Sequence, residues 1–246
     1  MKTVARILLA DGKKQYVPSI TQDYHCSDGV IKKADLAKKS GEVSTNKGVC
    51  FSLFEPFFID KYEKLTRHAQ IMTLKDIGAI LAHAGITKNS VVLDAGSGSG
   101  AVACALAMHA KKVVTFDIDD RSLEATKTNV AFLSLKNVAV KKGNIYTVDD
   151  IKNSGAGNFD VFVLDVPQPW DALLTAQAML KPGGFLVSYS PQTTQVHAMV
   201  VAAKKMGFIH VQTIEIIQRS WQVDEQRCRP DFQSLGHTGF LSFLRR

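Results

Sequence analysis

The sequence predicts an α/β protein, a parallel sheet preceded by a small β-rich domain. Three observations carry that expectation. From residue 91 onward, short valine-rich apolar runs alternate with helical stretches, the pattern of βαβ units. The first of these runs enters a glycine-rich turn and then a helix. Ahead of residue 60 the apolar runs are short and broken by polar turn residues, with no helical unit between them until residue 59 except a lysine-rich loop or short helix. Apolar residues make up 46% and charged residues 22% of the 246, enough for a packed core, which excludes a disordered chain, a coiled coil and a collagen-like repeat.

Taken in order, residues 4–9 and 16–20 read as strands, 32–41 as the lysine-rich loop or short helix, and 49–58 as an apolar segment with clustered phenylalanines. Residues 59–65 and 75–84 read as helical, the second with Ile77, Ile80 and Leu81 on one face. Strands follow at 91–93, 113–116, 138–141, 161–164 and 185–189, with helices at 102–110, 123–132, 173–180 and 195–206. Lys181-Pro182-Gly183-Gly184 stops the third of these helices and Gly207 caps the last. Two strands, 209–218 and 239–243, complete the series. The expected division is a small domain over 1–60 and a larger one over 61–246.

No apolar run approaches the roughly 20 residues that a bilayer span needs. The apolar stretch at 7–10 is too short for a secretory signal. Cys26, Cys50, Cys104 and Cys228 form no CxxC pair, so neither a zinc site nor a disulfide framework is expected. A reducing cytoplasm is the expected setting.

The sharpest motif is Val92-Leu93-Asp94-Ala95-Gly96-Ser97-Gly98-Ser99-Gly100. Its glycines permit positive φ and close approach of a ligand to the backbone. Asp117 ends the second strand of the series, 23 residues after Asp94, where an acidic side chain accepts hydrogen bonds from ribose hydroxyls. Two details separate the motif from a dinucleotide site. The spacing is GxGxG rather than GxGxxG, and Asp94 stands before the glycines. A carboxylate there repels a pyrophosphate and suits a cation. S-adenosylmethionine carries a sulfonium and an ammonium and no phosphate, so it is favoured over NAD. The fourth strand of the series ends in Asp165-Val166-Pro167-Gln168-Pro169-Trp170. Ligands of open α/β sheets bind beyond the carboxyl ends of the strands, which places Asp165 beside the cofactor's methyl group.

That proline-rich loop resembles the corresponding loop of the tRNA adenine-N1-methyltransferases, the family that methylates adenine 58 in the T-arm. The resemblance extends to Arg67-His68-Ala69-Gln70-Ile71 with Lys75-Asp76-Ile77, and to Tyr189-Ser190-Pro191-Gln192-Thr193-Thr194-Gln195-Val196. It also covers Arg219-Ser220-Trp221, Arg227-Cys228-Arg229-Pro230 and Gly236-His237-Thr238-Gly239-Phe240-Leu241, and the spacing of Gly29-Val30-Ile31, Asp35-Leu36, Gly41, Gly48 and Phe51. The resemblance implies a Rossmann-like methyltransferase with a seven-stranded sheet, usually a homotetramer, acting on tRNA. Archaeal members also modify adenine 57.

Carried onto this chain, the cofactor site comprises Asp94, Gly96, Ser97, Gly98, Ser99, Gly100, Asp117, Ile118, Asn144, Asp165 and Gln70. Asp165 and Tyr189 are the expected catalytic residues. The first accepts a hydrogen bond from the amino group of a flipped adenine and the second stacks on the base. Arg219, Arg227, Arg229 and His237 are candidates for tRNA contact. Direct displacement at a sulfonium by a ring nitrogen needs neither a covalent enzyme intermediate nor a catalytic metal. Three positions differ from the family pattern: Asn144 stands where Asp is usual, Thr73-Leu74 where Tyr-Pro is frequent, and Asp94 where Glu is frequent. Two alternatives stay open, a non-catalytic tRNA-binding paralogue and a methyltransferase for a small molecule or a protein carboxylate.

The net charge of +7 is unevenly spread. Residues 1–70 hold 12 basic and 8 acidic side chains, residues 71–203 hold 11 of each, and residues 204–246 hold 7 and 4. A neutral middle suits a cofactor that is itself cationic, and basic flanks suit a polyanion.

Overall fold

The computed structural model describes residues 3–10, 12–68, 70–155, 157–233 and 235–246. The chain forms two compact units, Met1–Leu65 with Ala131–Ser134, and Thr66–Val130 with Leu135–Arg246.

The first unit contains β1 (Arg6–Ala10), β2 (Lys13–Val17), β3 (Tyr24–Cys26), β4 (Gly29–Ile31), α1 (Lys33–Leu36), β5 (Gly41–Ser44), β6 (Cys50–Phe54) and α2 (Phe58–Tyr62). Four of its strands make an antiparallel sheet in the order β2-β1-β6-β5, and β3 pairs with β4 in a separate hairpin. Period-two alternation in β6 turns Phe51 and Leu53 inward and leaves Cys50, Ser52 and Phe54 exposed. Phe51 and Leu53 join Leu8, Val17, Ile31, Leu36 and Val43 in one core. The strand expected at 16–20 lies instead at Lys13–Val17, paired with β1 from Ala10↔Lys13 to Arg6↔Val17. Its two leading lysines hide it from a hydrophobicity pattern. The three-residue strands β3 and β4 are too short to show any period.

The second unit runs α3 (Leu74–His83), β7 (Val91–Ala95), α4 (Ala101–Ala107), β8 (Lys112–Asp117), α5 (Asp120–Phe132), β9 (Val138–Lys142), α6 (Val148–Asn153) and β10 (Phe159–Leu164). A 3-10 turn at Pro169–Ala172 follows, then α7 (Leu173–Met179), β11 (Leu180–Ser190), α8 (Thr193–Lys205), β12 (Ile209–Glu215), the hairpin β13 (Trp221–Val223) and β14 (Cys228–Pro230), and β15 (Phe240–Arg245). The sheet is the expected seven-stranded one, ordered β12-β15-β11-β10-β7-β8-β9. β7 to β11 run parallel, and β15 is antiparallel to both β11 and β12. Residues 161–164 are buried on both faces, which explains why β10 reads as an unbroken apolar run. From β7 the chain steps outward to β9, then returns to the other side of β7 with β10. This reversal is the point at which open α/β sheets bind ligands.

Three elements differ from expectation. α6 buries one residue, Ile151, behind two leading aspartates, so it carries no apolar period. β11 begins at Leu180 and continues through Lys181-Pro182-Gly183-Gly184 instead of starting after it. Its register with β10 jumps from Phe159↔Leu180 to Val161↔Phe185, and a bulge tolerates a proline inside a strand. The β13–β14 hairpin is almost wholly exposed and leaves no pattern. Among the described residues no helix is long and apolar enough to cross a membrane.

One buried amide secures the segment that leads into this unit. Asn129 of α5 is 1% exposed. Its Nδ2 donates to the carbonyls of Thr66 and Ser99 at 2.9 and 2.8 Å, and its Oδ1 accepts from the N–H of Thr66 at 2.9 Å. Asn129→Ala leaves these groups unpaired and is expected to lower unfolding free energy by about 2 kcal/mol. Urea denaturation checks this, and an unchanged midpoint would refute it.

Candidate active site

Asp94 and Thr115 face each other in the β7–β8 register. Asp94 is 1% exposed, and Thr115 Oγ1 donates to its Oδ2 at 2.6 Å. Its other oxygen, Oδ1, is buried with no hydrogen-bond partner among the described residues. Burial pushes the Asp94 carboxyl up to about 7, helped by the Asp165 and Asp117 carboxylates and opposed by the Thr115 hydroxyl.

Beyond β7 the glycine loop passes close under the end of β10. Gly96 has φ +89, and a Cβ there would stand 2.1 Å from the Asp165 carbonyl oxygen, so any other residue forces the two strand ends apart. The N–H groups of Gly96 and Ser97 both donate to the Phe116 carbonyl at 3.1 Å. At Gly98 the surroundings are open, with the nearest atom to an added Cβ 4.0 Å away. Ser99 is buried with its hydroxyl unpartnered among the described residues. Gly100 N-caps α4. Asp117, closing β8, holds the loop from the other side. Its Oδ2 accepts from the Gly98 N–H at 2.9 Å and the Ser97 hydroxyl at 3.2 Å, and its Oδ1 from the Asp119 N–H at 3.0 Å. A carboxylate has lone pairs beyond these three bonds. Ile118, the next residue, is 66% exposed.

Asp165 follows β10, and its N–H donates to the Ala95 carbonyl at 3.0 Å. Its carboxylate makes no hydrogen bond among the described residues, and burial alone raises it to about 6. The loop after it is fixed in place. Gln195 of α8 donates to the Pro167 carbonyl at 3.0 Å, and the Gln168 N–H reaches the Tyr146 hydroxyl at 3.4 Å. Trp170 packs against the main core.

The Gly143 N–H donates to the Asp117 carbonyl at 3.1 Å and so brings Asn144 to the same strand edge. Asn144 Oδ1 accepts from the Tyr146 N–H at 3.0 Å, which stabilises the turn. Asp94, the loop, Asp117, Asn144 and Asp165 are therefore gathered at the carboxyl ends of β7, β8, β9 and β10. Gln70 is exposed and no hydrogen bond among the described residues ties it to this group; Ala69 beside it lies outside them.

Tyr189 lies on β11 and donates its hydroxyl to the Thr238 carbonyl at 2.7 Å. Burial, with the Asp76 carboxylate, pushes it up to about 12. Both ring nitrogens of His237 are taken, Nδ1 by Glu215 Oε1 at 2.6 Å and Nε2 by the Pro191 carbonyl at 2.8 Å. Both partners accept, an arrangement that favours the doubly protonated ring, and the Glu215 carboxylate raises its pKa above the usual value. His237 thus braces the approach to β15. Arg227 pairs with Asp224 at 3.0 Å, the Arg229 guanidinium lies 4.2 Å from the centre of the exposed Phe232 ring, and Arg219 is exposed before the hairpin.

Two groups escaped the sequence. Thr115 is the partner that holds Asp94, signalled only by a lone hydroxyl in the run Val113-Val114-Thr115-Phe116. Asp76 is fully buried and accepts from Lys75 Nζ at 2.7 Å, Thr73 Oγ1 at 2.7 Å and Thr238 Oγ1 at 2.9 Å. The available signal was its place one turn before Ile80, on the apolar face of α3. Among the described residues no cluster of three or more His, Cys, Asp or Glu is arranged to hold a metal ion.

The family model described as tRNA methyltransferase complex GCD14 subunit matches residues 62–230. The tRNA (adenine(57)-N(1)/adenine(58)-N(1))-methyltransferase TrmI of Methanocaldococcus jannaschii is 30% identical, over 97% of this chain and 94% of its own. The tRNA (adenine(58)-N(1))-methyltransferase TrmI of Thermus thermophilus is 32% identical, over 91% and 88%. Two crystal structures share the fold over the whole chain. A SAM-dependent O-methyltransferase from Thermotoga maritima has a TM-score of 0.86 at 24% identity, covering 94% of that chain. The tRNA (m1A58) methyltransferase TrmI of Aquifex aeolicus has a TM-score of 0.80 at 23% identity, covering 98%. A GxGxG loop pinned by Asp117, a carboxylate without a hydrogen-bond partner among the described residues at the adjoining strand end and a family match over most of the sequence agree: this chain belongs to the tRNA methyltransferase family.

Proposed function

We propose that the protein transfers a methyl group from S-adenosylmethionine to N1 of adenine 58 in the T-arm of tRNA, and to adenine 57 as the archaeal relative's name describes. The observation that carries this reading is Asp165, a half-buried carboxylate without a hydrogen-bond partner among the described residues, joined through backbone to the glycine loop.

The residues present fit the cofactor. A buried carboxylate oxygen with no partner is costly, and a cationic donor relieves that cost at Asp94 Oδ1. Asp94 would take the ammonium, Asp117 the ribose hydroxyls, the open side of Gly98 the backbone of the ligand, and Ile118 and Asn144 the adenine edge. When bound, the cofactor supplies the methyl group on a sulfonium. Ser97, Ser99, Gly100 and Gln70 complete the proposed set.

N1 of the target base is hidden by pairing or stacking, so the base must be extruded to react. Asp165 accepts a hydrogen bond from the exocyclic amino group and so points N1 toward the donor. Methylation at N1 would place positive charge on that amino group, and the Asp165 carboxylate would stabilise it. Tyr189 offers a ring face to the base. Arg219 and its neighbours Arg227 and Arg229 would meet backbone phosphates, with His237 as a fourth candidate for tRNA contact. A homotetramer, with the exposed apolar residues of β12 as available surface, and a cytoplasmic setting belong to the same reading.

Incubating the chain with methyl-labelled S-adenosylmethionine and unmodified tRNA is expected to place the label on adenine 58. Label on guanine, on cytosine or on no RNA would overturn the assignment. Asp165→Ala is expected to keep cofactor affinity within about threefold and to lower kcat by at least about 100-fold. Ordinary turnover in that variant would mean another carboxylate does the work.

The pH dependence has a definite sign. Burial raises the Asp94 carboxyl to about 7, and its proton must leave for a cationic ligand to be held. Cofactor affinity by calorimetry is therefore expected to fall about tenfold from pH 8 to pH 6. A flat profile would show that Asp94 is ionised throughout.

A further inference from the structure

The buried group around Asp76 does something that core packing alone does not require. Thr238 is used at every polar point except its N–H. Its hydroxyl accepts from Lys75 Nζ at 2.6 Å and donates to Asp76 Oδ2 at 2.9 Å, and its carbonyl accepts from the Tyr189 hydroxyl at 2.7 Å. Lys75 and Asp76 are themselves paired at 2.7 Å, with side chains 10% and 1% exposed. His237, the preceding residue, is tied to Glu215 and Pro191. Gly239, the following one, lies so close to Tyr189 that a Cβ there would stand 2.5 Å from the ring. Two consecutive residues, Thr238 and Gly239, thus fix one tyrosine, through its hydroxyl and through the side of its ring, and His237 anchors the chain just before them.

A buried Lys–Asp pair contributes little net stability compared with apolar side chains of the same volume. What it gives here is position. Thr238 has its hydroxyl held in both directions, so its carbonyl is held too, and a tyrosine has only two rotatable side-chain bonds left to fix.

We infer that Thr238, locked by Lys75 and Asp76, is a positioning residue that sets the Tyr189 ring for the target base. The inference rests on Tyr189 being the residue that faces the base. It acts through the ring alone, so it concerns turnover on tRNA and not cofactor capture at Asp94 and the glycine loop.

The test is a double-mutant cycle on methylation of tRNA, with thermal melting and cofactor calorimetry on each variant. Thr238→Ala is expected to lower kcat about tenfold with cofactor affinity unchanged within about twofold. Thr238→Ser restores the hydroxyl and is expected to recover most of the rate. In a Tyr189→Ala background, Thr238→Ala is expected to cost nothing further. If Tyr189→Ala is impaired while Thr238→Ala turns over normally, the positioning role is overturned and the role of Tyr189 stands. Additive losses at the two sites overturn it equally, since they mean that Thr238 acts elsewhere. Normal turnover in Tyr189→Ala removes the reading of Tyr189 itself. Should Thr238→Ala fail to fold, Lys75→Gln, which loses the ammonium held by the same hydroxyl, takes its place in the cycle.

Discussion

The close approach of β7 and β10 at their carboxyl ends is the constraint on which the site depends. The Asp165 N–H bonds to the Ala95 carbonyl, and Gly96 passes with no room for a side chain. That contact exists because the sheet order reverses between these two strands, leaving a crevice that neither connection covers. The glycine loop lies on one side of it and the proline-stiffened loop on the other. A shift of either strand end moves the proposed methyl-donor and acceptor sites relative to each other.

Charge follows from the same geometry. Three carboxylates, Asp94, Asp117 and Asp165, converge on one edge of the sheet, and they are held differently. Asp117 spends its oxygens on loop N–H groups and a serine hydroxyl. Asp94 has one hydroxyl for company, and Asp165 has no hydrogen-bond partner among the described residues. Partner count, more than distance from solvent, separates a carboxylate that braces the loop from those left to receive something else. Bringing a cation into such a set lowers the repulsion among its members.

The sequence made the large sheet legible because its central strands are buried on both faces and carry the glycine loop between them. The same logic singled out Asp94, Asp117 and Asp165, since each stands at or beside the carboxyl end of a central strand. It failed where burial is slight. β13 and β14 bury no side chain, and α6 buries one. The bend at Pro182 read as a stop, yet the strand passes through it by taking a bulge that no local pattern announces. The roles of Thr115 and Thr238 were invisible for another reason. A hydroxyl's role is set by what lies across from it, and that is known only once the strands are paired. His237 shows the reverse case. Its motif drew notice, but the bonds that tie both nitrogens, to Glu215 and to the Pro191 carbonyl, were not legible in it.

The insertion of β15 between β11 and β12 has a temporal side. β15 comes later in the chain than every other strand of the sheet, yet it lies inside the sheet and not at its edge. Until residues 240–245 emerge from the ribosome, β11 and β12 each present an unsatisfied edge, and Tyr189 lacks both the glycine against its ring and the carbonyl for its hydroxyl. The cofactor loop can form early in synthesis, because β7, β8 and β10 precede these elements. The side that carries Tyr189 is finished last, so on the proposed assignment of the site a growing chain gains the means to hold a methyl donor before the means to use one.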